Sequence, residues 1–126
     1  MTEYLPTALL YLPLAIRAAG YSDNRRFKMG AVIFKRNRVV SFGCNLSKTH
    51  PKSNNAWKTI HAEMDALRGE EPIDLIRASI LVIRVTKTGK LATSRPCLDC
   101  QNLLRGFDIQ EMFYVNGDRS IVSERL

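Results

Sequence analysis

Two short motifs bring together the residue types that zinc enzymes use. The first is His61-Ala62-Glu63, and the second, further along the chain, is Pro96-Cys97-Leu98-Asp99-Cys100. Imidazole and thiolate groups are ligands that zinc prefers, and a carboxylate placed beside the metal can move protons. A structural zinc site closes four protein ligands around the ion, whereas a catalytic site keeps three and leaves a position for water.

The supply of ligands favours the catalytic kind of site. The chain has three cysteines and two histidines. His61, Cys97 and Cys100 stand at suitable spacing, and neither the remaining cysteine nor the remaining histidine is a short step from another candidate ligand. Alone, C-x-x-C is also typical of redox, structural or merely buried thiols, and H-x-E is often only a helix start. Together, the motifs predict zinc held by these three residues, with Glu63 as the acid/base group.

Both motifs suit the first turn of a helix. Cys97 and Cys100 are three residues apart, so they share one face if a helix begins near Pro96. Proline suits such a start, because it lacks the N–H that would be unpaired there. Thr59 is the expected N-cap of a second helix, which carries the His/Glu motif in its first turn. The positive end of a helix lowers thiol pKa values and favours zinc-binding thiolates. We therefore expect the metal to lie between two helix N-termini.

The elements that position these motifs alternate between strands and helices. Helices are predicted over 7–19, with a kink or a new start at Pro13, over 60–67 and over 96–105, with a short helical turn over 74–78. Strands are predicted over 31–34 and 39–44, as a hairpin, and over 79–85 and 112–115, while 120–125 forms a final strand or helical turn. Helices between the later strands favour parallel pairing. The predicted fold class is α/β, a mixed sheet flanked by helices in a three-layer α/β/α domain.

Length and charge narrow the class of protein. The 126 residues suit a single domain over 1–126, and no stretch reaches the roughly 18 uninterrupted apolar residues of a membrane span. No basic segment precedes the first apolar run, and few cysteines remain for disulfides, so we expect a cytoplasmic protein without a membrane partner. The formal net charge of +7 suits a phosphate-bearing partner or, equally, a solvated basic surface.

From about residue 29 to residue 115 the chain resembles the cytidine/deoxycytidylate deaminase superfamily. The likeness rests on the two motifs above and on Gly30-Ala31-Val32-Ile33 and Gly43-Cys44-Asn45. It implies a sheet of about five strands flanked by helices, with zinc at two helix N-termini. It further implies that Asn45 contacts the base or sugar, that the Ala62 N–H meets the base carbonyl, and that Cys44 is buried and not a ligand. An ordinary turn asparagine is the alternative for Asn45.

The reaction that the resemblance implies is hydrolytic deamination. Zinc activates the water, and Glu63 carries its proton to the ring nitrogen and then to the leaving amine. We expect a small cytosine nucleotide or nucleoside, of the dCMP or cytidine type, whose phosphate binds Lys48 and Lys52. The alternative substrate is cytosine or adenine in single-stranded DNA or tRNA, which the net charge favours. Glu63 argues against a non-catalytic zinc domain, since a purely structural zinc site does not need it. The resemblance also implies a homo-oligomer, because members of the deaminase superfamily commonly assemble in this way.

The chain also departs from its relatives. The interval from Asn45 to His61 is longer than in bacterial tRNA adenosine deaminases, and little chain follows the fourth predicted strand. The polar segment over 48–58 is a candidate for the role that C-terminal helices have in larger relatives, where they shape substrate choice. His50 or Trp57 would then stack on a base, and ordinary loop packing is the alternative for both residues.

Overall fold

A mixed, six-stranded sheet organises the structure, a computed structural model that describes residues 5–24, 27–36, 38–47 and 60–126. The elements follow in chain order as α1 (Leu5–Leu10), α2 (Leu12–Ala19), β1 (Lys28–Lys35), β2 (Arg38–Cys44), α3 (Ala62–Leu67), α4 (Pro72–Leu75), β3 (Ser79–Val85), β4 (Leu91–Ala92), α5 (Leu98–Gly106), β5 (Glu111–Val115) and β6 (Ile121–Arg125). The strand order is β2-β1-β3-β5-β6, and the short β4 pairs with β3.

Strand directions bring the ends of several strands together. β1 is antiparallel to β2 and to β3, β3 and β5 are parallel, and β6 returns antiparallel to β5. We call the end of the sheet marked by the pair Lys28 and Val85 the site end, and the end marked by the pair Phe34 and Ser79 the far end. β2, β3 and β5 all finish at the site end, so the segments that follow them begin there.

Alternation along the central strands gives the sheet two apolar faces. Ala31 and Ile33 of β1 pack in one core with α3, α4 and α5, whereas Val32 and Phe34 pack in a second core with α1 and α2. All four side chains are at most 1% exposed. Helices therefore cover both faces of the sheet, and the predicted α/β class with helices flanking a mixed sheet is confirmed.

Helix boundaries differ slightly from the sequence predictions. Tyr11 separates α1 from α2, and Pro13 lies in the first turn of α2, as proline's fixed φ allows. The two motif helices begin later than predicted, because His61 and Cys97 have extended backbone and act as N-caps. Pro96 therefore precedes its helix and does not occupy the first helical position. None of the helices within the described ranges is long and apolar enough to cross a membrane.

Two strands were harder to predict from local sequence. β4 is two residues long, and it forms because the chain turns back after β3, where the Thr86 N–H donates to the Lys90 carbonyl at 2.9 Å and Gly89 adopts a φ of 82°. The segment 120–125, predicted as either a final strand or a helical turn, forms the strand β6, which pairs along β5. It is the fifth strand in the order β2-β1-β3-β5-β6.

Candidate active site

The three predicted zinc ligands meet at the site end, where α3 and α5 begin. His61 is the N-cap of α3, Cys97 is the N-cap of α5, and Cys100 lies in the first turn of α5. The His61 Nδ1 atom lies 3.2 Å from the Cys100 Sγ atom and 3.8 Å from the Cys97 Sγ atom. Cys100 is buried, His61 is partly exposed and Cys97 is exposed, so the cluster is accessible from one side.

The donor atoms of this cluster fit zinc. All three lie within 4.8 Å of one another. A tetrahedral zinc ion holds nitrogen at about 2.0 Å and sulfur at about 2.3 Å, which places its ligand atoms roughly 3.5–4 Å apart. Within the part of the chain that the structure describes, no fourth His, Cys, Asp or Glu joins the group. One nitrogen and two sulfur atoms without a fourth protein ligand is the pattern of a catalytic zinc site.

Ser94 anchors the segment that leads into α5. The parallel strands β3 and β5 pair only up to Val82 on β3, and Ser94 bridges the next step between them. Its hydroxyl donates to the Val82 carbonyl at 2.7 Å and accepts from the Val115 N–H at 2.8 Å. On the other side, the buried Gln101 amide donates to the Pro96 carbonyl at 2.8 Å. The segment that carries the first cysteine is thus held at both ends.

An ion pair joins the same segment to β6. The Arg95 guanidinium donates to both carboxylate oxygens of Glu124, at 2.7 and 3.0 Å, and the Tyr114 hydroxyl also bonds to Glu124. The guanidinium, followed by the hydroxyl, lowers the pKa of the Glu124 carboxyl to about 2. Both charged partners are exposed to solvent, so the pair orients the segment more than it stabilises the fold.

Close backbone contact and two hydrogen bonds hold α3 against β2. A Cβ atom at Gly43 would lie 2.4 Å from the Ala66 backbone nitrogen, so a glycine is needed for this approach. The Ser41 hydroxyl donates to the Ala66 carbonyl, and the Asp65 carboxylate accepts from the Cys44 N–H at 3.0 Å. These contacts fix the position of the helix start that bears the histidine.

Glu63 is the buried carboxyl group of the site. It lies in the first turn of α3 and is 2% exposed. Burial raises the pKa of the Glu63 carboxyl, while its backbone N–H, the nearby His61 and a hydrogen bond with Cys100 act in the opposite direction. Burial, and then the charge of Glu63, raise the pKa of the Cys100 thiol. A bound cation favours the thiolate form. Glu63 lies two residues after His61 in the first turn of α3, and its interaction with Cys100 places the carboxyl beside the ligand cluster.

Asn45 and Ala62 also lie at the site end. Asn45 is 6% exposed, and its amide oxygen accepts from the Met29 N–H at 2.7 Å while its amide nitrogen lies 3.4 Å from the Phe27 carbonyl. The side chain therefore ties the end of β2 to the start of β1. Ala62 is the first residue of α3, where a backbone N–H has no acceptor within the helix. Cys44, at the end of β2, is buried as predicted and lies outside the ligand cluster.

Several predicted residues lie outside the described part of the chain. These are the phosphate-binding candidates Lys48 and Lys52, the stacking candidates His50 and Trp57, and the capping candidate Thr59. Conversely, sequence reasoning overlooked Ser94, Gln101 and Arg84. Only Arg84 carried a usable signal, since it is the one charged residue in the apolar strand β3.

Comparisons with known proteins agree with this site. The family model for the cytidine and deoxycytidylate deaminase zinc-binding region matches residues 7–116. The deoxycytidylate deaminase of Mycobacterium phage D29 is 31% identical over 125 residues, covering 82% of this chain and 90% of the phage protein.

Solved structures of low sequence identity share the fold. A cytidine deaminase from Burkholderia pseudomallei, 20% identical, has a TM-score of 0.67 and covers 93% of this chain and 91% of its own. The dCMP deaminase of cyanophage S-TIM5 in its apo form, 21% identical, has a TM-score of 0.58 and covers 83% of this chain and 79% of its own.

The family model spans most of the chain, and the phage relative supports the same assignment. The chain therefore belongs to the cytidine and deoxycytidylate deaminase family. It is a hydrolytic deaminase with zinc as its cofactor, which confirms the enzyme class, the cofactor and the family resemblance predicted from sequence.

Proposed function

We propose that this deaminase acts on a free cytosine nucleotide of the dCMP type, releasing ammonia and the uracil nucleotide. The observation that carries the proposal is the buried Glu63 carboxyl, two residues after the ligand His61 at the start of α3, together with donor atoms that fit zinc. His61, Cys97 and Cys100 hold the ion in this proposal. When bound, zinc supplies the Lewis acidity that makes water nucleophilic near neutral pH.

Glu63 moves the protons of the reaction. A water oxygen bonds to the ring carbon that carries the amino group, while Glu63 takes a proton from that water and gives it to the adjacent ring nitrogen. A second proton from the same water reaches the amine, the carbon–nitrogen bond breaks, and a carbonyl remains. Cytosine and water thus become uracil and ammonia without any change of oxidation state. Burial suits this role because it raises the proton affinity of the Glu63 carboxyl.

Two observations bear on whether the substrate is free or polymeric. The phage relative is named a deoxycytidylate deaminase, which supports a free nucleotide. The formal net charge of +7 favours the second candidate, cytosine or adenine in single-stranded DNA or tRNA. A mononucleotide presents one phosphate group, whereas a polynucleotide releases several counterions on binding, and its affinity therefore falls steeply as salt rises.

Ammonia release from dCMP, cytidine, a cytosine-containing oligonucleotide and tRNA, each measured across salt concentrations, tests the choice of substrate. We expect dCMP to react with weak salt dependence. Reaction of the oligonucleotide or tRNA alone, with a steep fall in log affinity against log salt, would replace the proposal by the second candidate.

Asn45 would contact the base or sugar, the Ala62 N–H would meet the base carbonyl, and Lys48 and Lys52 would contact the phosphate. For Asn45 the matched control is Ser22, whose hydroxyl donates to the Asn45 carbonyl at 2.7 Å. Asn45→Ala and Ser22→Ala both loosen the same turn, but only the first removes the amide. We expect Asn45→Ala to lower kcat/KM more than Ser22→Ala does, at temperatures where both are folded. Equal losses would identify Asn45 as a turn residue only.

Self-association and a cytoplasmic location are further predictions of the sequence. Sedimentation of the purified protein tests the first, since a monomer at working concentration would contradict it. Cell fractionation tests the second.

A further inference from the structure

Arg84 faces the same side of the sheet as the candidate active site. In β3, the side chains of Ile80 and Val82 pack in the core that contains Ala62 and Ala66 of α3. Residues two apart on a strand share a face, so Arg84 lies on that face as well. It is the next position on this face toward the site end, where α3 and α5 begin.

Arg84 and Asn45 share their neighbours. Arg84 is paired with Met29 of β1, whose N–H donates to the Asn45 amide oxygen at 2.7 Å. The Arg84 guanidinium carbon lies 4.9 Å from the centre of the Phe27 ring, and the Phe27 carbonyl accepts from the Asn45 amide. The flat guanidinium therefore lies against an aromatic ring, beside the residue that the family resemblance assigns to the substrate.

Arg84 forms no ion pair with an acidic side chain in the described part of the chain. The Arg84 Nε atom is buried and has no hydrogen-bond partner among the residues that the structure describes. The ion pairs among the described residues, Asp65 with Arg68 and Arg95 with Glu124, do not involve it. Burying a guanidinium N–H without an acceptor is unfavourable, and such a group in a folded protein calls for an explanation. An anionic ligand at this position would supply the acceptor.

We propose that Arg84 binds the phosphate group of the substrate, an inference that rests on the proposed action on a phosphate-bearing nucleotide. A guanidinium has only donors, arranged as a planar fork that fits two oxygens of a phosphate. A neutral cytosine ring offers no such charge. Stacking on Phe27 orients the fork before the ligand arrives, which limits the loss of side-chain freedom on binding. Arg84 would thereby select nucleotides over nucleosides.

The test compares dCMP with deoxycytidine, which differ only in the phosphate. We expect Arg84→Gln to lower kcat/KM for dCMP by roughly 10- to 100-fold, mainly through a higher KM, since hydrogen bonds to charged groups have about this strength. The value for deoxycytidine should stay within about twofold. Arg84→Lys, which keeps the charge and loses the fork, should fall in between.

Arg38→Gln is the matched control, because Arg38 is exposed and begins β2 at the far end. Arg38→Gln should leave kcat/KM unchanged for both dCMP and deoxycytidine. Equal losses for dCMP and deoxycytidine in Arg84→Gln would show a purely structural role, and no loss for either would also overturn the proposal. If the wild type deaminates neither compound, the proposed function fails by itself. Calorimetric binding of dCMP and of inorganic phosphate to wild type and Arg84→Gln then decides the role of Arg84, because equal affinities would reject it.

Discussion

The two ends of the sheet carry different kinds of surface. At the far end, a cavity of about 580 Å³ is lined by cations, among them Lys35, Arg36, Arg38 and Arg77. Beside the site, a much smaller cavity of about 170 Å³ is lined by Met64, Asp99, Cys100 and Leu103. Among the described residues that line the larger cavity there is no acidic, histidine or cysteine side chain, and so they offer neither a metal ligand nor a group for proton transfer.

The difference teaches that size and charge are poor guides to the chemistry here. The far-end arginines are exposed, where water and salt screen their charge. What distinguishes the site end is a buried carboxyl next to donor atoms that lie within 4.8 Å of one another, all placed by helix starts. Such groups are expensive to bury, which makes their placement informative.

Of the changes that test this comparison between the two ends, removal of a zinc ligand should have the largest effect on activity. We expect Cys100→Ser to lose most of its zinc and all measurable deamination, because serine is a poor zinc ligand and no fourth ligand joins the cluster among the described residues. Cys44→Ala is the control, since Cys44 is buried but outside the cluster. Metal analysis and ammonia release measure both variants. Full zinc content in Cys100→Ser would refute the ligand assignment.

Glu63→Gln should give the second largest effect. It removes the proton carrier while keeping the shape of the side chain, so kcat should fall by about 10²–10⁴-fold with zinc retained. Glu111 offers a matched control at the far end, because it is also a buried carboxyl, 6% exposed. Glu111→Gln should keep kcat. Comparable kcat for the two variants would mean that burial alone does not identify the catalyst.

Gly43→Ala tests how far the site depends on helix docking. The added methyl would overlap the backbone of α3, so we expect a loss of about 1–3 kcal/mol in unfolding free energy, together with weaker zinc binding. Gly117→Ala is the control, since a Cβ atom there meets nothing within 4 Å. Thermal melts with and without zinc measure both. A Gly43→Ala protein as stable as wild type would show that α3 can shift without cost.

The smallest effect is expected from the far end. Arg36→Ala combined with Arg38→Ala should change kcat/KM for dCMP by less than about twofold, because exposed charges at that end are screened from the site. The same variant sharpens the choice of substrate. If a polynucleotide binds through these arginines, its salt dependence should lose about one unit of slope for each phosphate contact removed. An unchanged slope would exclude the far end from binding.

The ligand set could be predicted because it depends on residue type and spacing. His61, Cys97 and Cys100 could be identified as ligands without knowing how the helices pack. The strand β3 could also be predicted, because it coincides with the apolar run 79–85. The helix starts were placed too early, because the caps are set by the extended backbone at His61 and Cys97. Local propensity describes helix interiors better than it describes such caps.

Other features depend on register and could not be predicted. The position of Arg84 beside Met29 follows from pairing between β1 and β3, which is a long-range property of the sheet. The burial of Glu63 depends on how α3 packs on β2, and the bridge made by Ser94 depends on where β3 and β5 separate. These contacts join residues far apart in sequence, so no local pattern reports them.

The bridge made by Ser94 has a consequence for how the chain tolerates change. Because Ser94 and Gln101 hold the cysteine segment from both sides, the hairpin before it, with Gly89 at its exposed turn, is mechanically separate from the metal ligands. Lengthening an exposed loop costs little closure entropy. We therefore expect the turn of this hairpin to tolerate the insertion of additional residues. A short tag placed at Gly89 should leave zinc content and dCMP turnover at wild-type levels, and loss of zinc would show that the hairpin supports the site.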